Sequence, residues 1–283
     1  MMLVSSSSNF QKTAKNKRFM LKLISYQGRL CMSKICKGKA ALKCREKLYF
    51  DGFPQEVDSY NDEVFQLISD RCNRLNLIIE IGCGSGVWTA HLAKLGKHVV
   101  GLDLSSILIK KLHKRLKKLN CEAVIGDAEF LPFTDKVADC CFFFYSLHHI
   151  PDISQAINEA TRCLKDNGQL VLVEPNGLNF MLALIARITF ILRLVNKAGM
   201  TSPAERPLNI KKIVQILSEV GFDCNVLPCY ATLRKKSQAA NLSFPTRIYT
   251  LFLKFAASFF PKFFGASDFI LFAKGVKGKR IQN

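Results

Sequence analysis

Leu77-Ile78-Ile79-Glu80-Ile81 runs without a break into Gly82-Cys83-Gly84-Ser85-Gly86. Five mostly apolar, β-branched residues closed by glycine are too few for a helix and fit a buried strand. Helical periodicity then takes over at 87–95, and Gly96 is placed to stop it. Three glycines spaced two apart allow a tight turn that a ligand can approach closely. The helix that follows aims N–H groups and its positive end toward the same point.

The alternation continues outward. Strands are expected at 98–102, 121–125, 137–145 and 169–173. Ser105 or Ser106 caps a basic helix reaching Leu119, and Asp152 caps another reaching Leu164. Asn167-Gly168 turns the chain into the fifth strand. Upstream, 48–68 is helical, with Phe65 and Ile68 facing inward. Strands apolar on both faces, alternating with helices, specify a doubly wound α/β fold with a parallel sheet covered on both sides. Such sheets bind ligands beyond the carboxyl ends of their strands. After Pro175, 178–195 is apolar nearly all round. A helix at 210–220 and strands at 222–230 and 269–273 follow, with a Phe-rich helix at 249–260.

Acids sit where the ligand rule points. Glu80 ends the first strand, and Asp103, seventeen residues past Gly86, ends the second. A carboxylate there accepts both hydroxyls of a ribose. Asp127, after the third strand, is placed to meet an adenine amino group. A nicotinamide dinucleotide site would need a small residue at position 87, which is Val87, and Glu80 would repel its pyrophosphate. The same carboxylate attracts a ligand carrying an ammonium and a sulfonium.

The run 77–176 resembles the class I S-adenosylmethionine-dependent methyltransferases. It is especially similar to the branch holding the ubiquinone and menaquinone biosynthesis enzymes. The residues that carry the resemblance are Glu80 to Gly86, Val100-Gly101-Leu102-Asp103-Leu104-Ser105, Gly126-Asp127-Ala128-Glu129-Phe130-Leu131-Pro132-Phe133, Ser146-Leu147-His148-His149-Ile150 and Val173-Glu174-Pro175-Asn176. The resemblance implies a Rossmann-like seven-stranded sheet, mostly parallel with the last strand antiparallel and helices on both faces. It implies S-adenosyl-L-methionine as cofactor, with Glu80 and Gly82 toward its methionine part and Cys83, Gly84, Gly86 and Leu104 among the residues that bind it. Asp103 would meet the ribose, and Asp127 with Ala128 the adenine, while Ser146 lines the methionine end. Methyl transfer from a sulfonium needs alignment and dryness more than chemical assistance, and no metal. An oxygen nucleophile gains from a general base, and His148 and His149 are the candidates. Either residue could instead shape the turn, a reading favoured for His148. Tyr49, Phe50 and Tyr60 either cover the cofactor or pack the first helix on the sheet.

Charge is divided unevenly. The formal net charge is +19, yet residues 51–230 hold 19 basic and 20 acidic residues. Residues 1–50 carry twelve Lys/Arg and the single acid Glu46, and residues 231–283 carry ten and the single acid Asp268. The expected organisation is a basic arm at 1–47, weakly structured or a targeting segment, and a methyltransferase domain at 48–283. The cofactor half is 70–176, and 177–283 forms a substrate, lid and membrane-contact half. Cationic ends attract anionic lipid or nucleic acid. Phe252, Phe255 and Phe259 recur at helical spacing beside Lys254 and Lys262, which suits a membrane interface as well as a core. No segment is apolar enough to span a bilayer. A small-molecule, hydrophobic or lipid-like acceptor is expected. RNA ranks below it, because no Pro-Pro-aromatic motif follows the fourth strand, and a catalytically silent cofactor-binding subunit is the third reading.

Eleven cysteines, an odd number with no C-x-x-C pair, fit a reducing compartment. Cys31, Cys36 and Cys44 lack a fourth ligand for zinc. The expected location is the cytoplasm, including membrane-peripheral placement. The alternative is an organelle matrix, since 1–40 is Ser-rich and basic with no acid.

Overall fold

A computed structural model describes residues 38–52, 62–72, 75–95, 97–116, 119–177, 206, 208–229 and 268–276. Seven strands form one sheet in the order β3-β2-β1-β4-β5-β7-β6. They are β1 (Leu77–Ile81), β2 (His98–Asp103), β3 (Cys121–Ile125), β4 (Ala138–Phe144), β5 (Leu164–Pro175), β6 (Phe222–Cys229) and β7 (Asp268–Gly275). The pairs among β1 to β5 are parallel, and β7 runs antiparallel to both β5 and β6. The α/β class, the seven strands and the reversed last strand are as the sequence leads one to expect. The helices are α1 (Gly38–Gly52), α2 (Asp62–Cys72), α3 (Val87–Lys94), α4 (Ser106–Leu116), α5 (Ile153–Cys163) and α6 (Ile210–Glu219).

All five residues of β1 are buried, which explains the unbroken apolar run. Alternate residues feed two cores. Ile79, Ile81, Cys141 and Phe143 pack with Ala156, Ile157 and Ala160 of α5 on one face. Ile78, Cys140, Phe142 and Phe144 pack with Trp88 and Leu92 of α3 and Ile68 of α2 on the other. Trp88 stacks on Phe144 with ring centroids 4.2 Å apart. Cys83, Cys140, Cys141 and Cys163 are buried free thiols acting as small apolar residues. Asp152 caps α5 by accepting from the Gln155 amide.

Two elements differ from expectation. The fifth strand starts at Leu164, which pairs with Ala138; pairing then shifts and resumes at Cys140 with Gln169. Asn167-Gly168 is therefore a bulge within β5, with Asn167 at a φ of 62°, rather than a turn before the strand. At the N-terminal end, α1 occupies residues 38–47 of the expected weakly structured arm. Apolar periodicity does not mark it, because it buries Glu46 beside Ala41 and exposes Leu48. The remainder of the arm, Cys31 and Cys36, Tyr60, Gly96, the 178–195 run and the Phe-rich helix with Phe252, Lys254, Phe255, Phe259 and Lys262 lie outside the described residues. Among the described residues, no helix is long and apolar enough to cross a membrane.

Candidate functional site

The site lies where β1, β2 and β3, three neighbours in the sheet, come to their carboxyl ends. Glu80 is 2% exposed and accepts a hydrogen bond from the Thr89 hydroxyl of α3. Burial pushes its pKa up to about 8, and the nearby Asp103 charge adds to the effect. Asp103 is the last residue of β2. Its Oδ2 accepts from the Gly84 amide and its Oδ1 from the Ser105 amide, both at 2.8 Å. Burial raises its pKa, and those amides oppose the rise. Leu104 follows at the same rim. Asp127 lies two residues beyond β3, where Oδ1 accepts from the Glu129 amide at 2.9 Å. Ala128 beside it packs against the core.

Gly82 has a φ of +75°, and a Cβ built on it would stand 2.4 Å from Ser146 Cβ. The glycine loop is thus pressed against the segment after β4, and Ser146 Oγ donates to the Ile81 carbonyl at 2.7 Å. The loop amides find their partners within the protein. The amides of Gly82 and Cys83 both donate to the Leu102 carbonyl, Gly84 donates to Asp103, and Gly86 donates to the Cys83 carbonyl. The first three amides tie the loop to the end of β2 and the fourth closes the loop on itself, so none of the four is left to aim at a ligand. The reason is positional: β1 and β2 are parallel neighbours, and the carbonyl at the end of β2 needs donors once the ladder stops.

The two adjacent histidines part company. His148 is buried, and its Nδ1 lies 2.6 Å from Glu174 Oε2. Glu174 is fully buried and its other oxygen accepts from the amides of Ser146 and Leu147. The pair joins the turn after β4 to β5. His149, whose side chain is 22% exposed, faces α1: its Nδ1 is 3.0 Å from Glu46 Oε1, and Phe50 meets its ring edge-on.

α1 holds most of what sequence reading missed. Lys43, Glu46, Lys47, Phe50 and Asp51 fall on one helical stripe. Lys43 bridges Asp127 at 2.7 Å and Glu129 at 2.6 Å. Asp51 accepts from the Ser105 hydroxyl. Lys39 pairs with Asp152. Phe50 itself meets the rings of Tyr49 and His149 edge-on. Glu129 was quoted only as part of a motif; it is 5% exposed and also accepts from the Asp152 amide. The stripe's spacing was readable, but its polar composition carries no amphipathic signal.

A buried acid with a raised pKa makes the stability of the ligand-free protein depend on pH. Folded Glu80 keeps its proton between about pH 4.5 and 8 while the unfolded side chain has lost it. Its contribution is therefore intact below about 4.5 and is lost as pH rises through about 8. The slope is at most about 1.4 kcal/mol per pH unit. In chemical denaturation at pH 5.5 and 7.5, wild type should lose about 2 kcal/mol more than Glu80→Gln, which keeps an acceptor for Thr89. Equal losses in the two proteins would refute the assignment.

Comparison with known proteins agrees with this layout. Residues 79–172 match the family model described as a methyltransferase domain. A demethylmenaquinone methyltransferase of Listeria welshimeri is 32% identical over 108 residues, covering 36% of this chain and 46% of that one. Its Staphylococcus saprophyticus counterpart is 30% identical over 143 residues, covering 40% and 61%. The chain spans about half the length of such curated relatives. Among solved structures, phosphoethanolamine N-methyltransferase 2 of Haemonchus contortus, in complex with S-adenosyl-L-methionine, superposes with a TM-score of 0.57. It is 15% identical and covers 81% of this chain and 59% of that one, a likeness of fold alone.

Proposed function

We propose that this chain, whose fold is that of the class I S-adenosylmethionine-dependent methyltransferases, transfers the methyl group of S-adenosyl-L-methionine to a small-molecule acceptor. The observation that carries the reading is the set of three acids at the ends of three adjacent strands: Glu80, Asp103 and Asp127. The residues fit such a cofactor. A Cβ at Gly84 would meet nothing within 4 Å, and Glu80 is a buried carboxyl group that a bound cation would ionise. Asp103 holds the ribose hydroxyls, and Asp127 with Ala128 holds the adenine. Ser146 and the loop residues Gly82 to Gly86 enclose the methionine end. Bound there, the cofactor supplies an activated methyl on a positive sulfur, so the protein's share is alignment and exclusion of water. α1 excludes water by covering the rim. His149 accepts a proton where the acceptor must lose one.

The acceptor is hydrophobic and of the lipid-like class. Supporting this are the relatives named demethylmenaquinone methyltransferases and the apolar stretches of the second half of the chain. Two experiments test the proposal. Calorimetric titration with S-adenosyl-L-methionine at pH 6.5, in buffers of differing ionisation heat, should show binding with release of up to about one proton. That proton comes from Glu80, and Glu80→Gln should release none. Absence of any binding heat from folded protein rejects the reading. Tritium transfer from labelled cofactor into organic-extractable material, rather than into an RNA fraction, places the acceptor; the opposite distribution reverses that assignment.

A further inference from the structure

We infer that the protein lies on an anionic lipid surface along the β3 edge of its sheet. The outward cations of α4 hold it there, together with apolar side chains exposed where β3 reaches the rim of the candidate site. The inference rests on the reading of a lipid-like acceptor and deepens it, because such a compound then meets the cofactor rim from the bilayer.

The first observation is charge. α4 buries Leu108, Ile109, Leu112 and Leu116. Lys110, Lys114 and Arg115 are exposed, and Lys111 and His113 are half-buried. Residues 104–121 contain no Asp or Glu. Cations in the last turn of a helix suit its dipole, which accounts for His113, Lys114 and Arg115. It does not account for Lys110 and Lys111. Their neighbours one turn on, Lys114 and Arg115, carry the same sign, which works against the helix. Acids of the flanking strands serve other partners. Glu122 of β3 lies 3.0 Å from His98 Nε2, and Asp127 and Glu129 bridge Lys43. Asp103 accepts from the amides of Gly84 and Ser105.

The second observation is apolar exposure. Among the described residues the exposed large apolar side chains are Leu48, Leu67, Ile125 and Phe130. Ile125 is the last residue of β3, the edge strand, and is 48% exposed. Phe130, 50% exposed, stands in the turn just after it, with Lys43 Nζ 5.3 Å from its ring. Leu48 belongs to α1, which meets the start of α4 through Asp51 and Ser105. Three of the four thus sit on elements at this edge. α4 runs back from the rim, at the end of β2, to the start of β3. Its cations therefore line the side of the molecule, and the apolar tips mark the corner where that side meets the rim. Apolar side chains with a cationic margin suit the headgroup layer of an anionic bilayer. A nucleic acid would use the cations but gains no stacking from Ile125 or Leu48.

The test is flotation of the full chain, without cofactor or acceptor, on phosphatidylcholine vesicles holding about one-quarter phosphatidylglycerol, at about 0.1 M salt. Wild type should float with these vesicles and not with pure phosphatidylcholine. Both ends of the chain are cationic, so the deciding comparison is between two double variants of equal net charge. Lys110→Glu with Lys114→Glu, on α4, should weaken partitioning roughly 30-fold. Lys211→Glu with Lys212→Glu changes two exposed positions of α6, which packs on β6 at the opposite edge of the sheet. That pair should weaken it by less than about threefold, since screening hides distant charge. Ile125→Ser should weaken it about fivefold. Leu67→Ser should not, because α2 lies toward β7, with Arg71 over the Phe272 ring. Each variant should melt within a few degrees of wild type, as surface substitutions do. Equal losses from the α4 and α6 pairs overturn the inference, because net charge alone then explains the binding. So does wild type that stays unbound. Tighter binding to transfer RNA than to vesicles, lost in the α4 pair, makes α4 a nucleic-acid face and overturns it too. None of these readouts uses methyl transfer, so a failure of the acceptor reading shows separately, in the tritium assay.

Discussion

Gly82→Val should cost about 3–5 kcal/mol of stability and abolish cofactor binding. Two penalties add. At φ +75° a β-branched residue sits in the left-handed region, strained by roughly 1–3 kcal/mol. Its Cβ would also stand 2.4 Å from Ser146 Cβ and 3.0 Å from Ser146 Oγ. Nothing there is the free end of a flexible chain: Ser146 is 7% exposed, with its hydroxyl on the Ile81 carbonyl and its amide on Glu174. Making room means shifting the start of the segment after β4, at about 1–3 kcal/mol more. The melting temperature should fall by roughly 10 °C. Gly84→Ala is the control. Gly84 has a φ of +54°, but a Cβ there would meet nothing within 4 Å, so backbone strain is its main cost. That is about 1–2 kcal/mol, or a few degrees. Thermal unfolding followed by circular dichroism decides the matter. If the two variants melt together, the contact between Gly82 and Ser146 has no weight.

Asp103→Ala should weaken S-adenosylhomocysteine binding by about 100-fold or more, read by calorimetry. An ionised carboxylate offers about four acceptor positions, and backbone amides take two of them, from Gly84 and Ser105. The other two match the two hydroxyls of a ribose. Hydrogen bonds to a charged group contribute about 1.5–3 kcal/mol each, so removing both gives at least that loss of affinity. The substitution also releases the Gly84 amide and loosens the loop, which acts in the same direction. Asp103→Asn keeps the shape and one carbonyl oxygen, and should fall between wild type and Ala. A change of less than threefold for Ala would remove Asp103 from the nucleoside site.

Most of the sheet was legible because apolar runs and glycines are local signals. β1 is buried throughout and is bounded by Gly82, so its type and end were readable from ten residues. Glu80 and Asp103 were legible because strand ends in this fold class have a known use. Lys43 and Glu46 were not. They bury polar atoms against residues 84 or more positions away, and hydrophobic periodicity is blind to such contacts. The ties of the loop amides were hidden for a related reason. Their partner, the Leu102 carbonyl, is supplied by the neighbouring strand and cannot be seen in the loop's own sequence. The division between His148 and His149 likewise depends on Glu174, twenty-six residues on, and on α1.

α1 finds its partners late. Lys39 meets Asp152 across 113 residues, and Lys43 meets Asp127 and Glu129 across 84 and 86. On a ribosome adding about 5–20 residues per second, a finished α1 waits on the order of ten seconds for the acids it binds. During that interval Lys39 and Lys43 are bare, next to an arm that is itself basic. The nascent chain therefore emerges as a polycation and loses that character only when the strands arrive. Closing so long a loop is slow compared with forming the helix itself. The helix over this rim is accordingly made before every strand of the sheet, yet is seated only after β3 and the start of α5 have followed it.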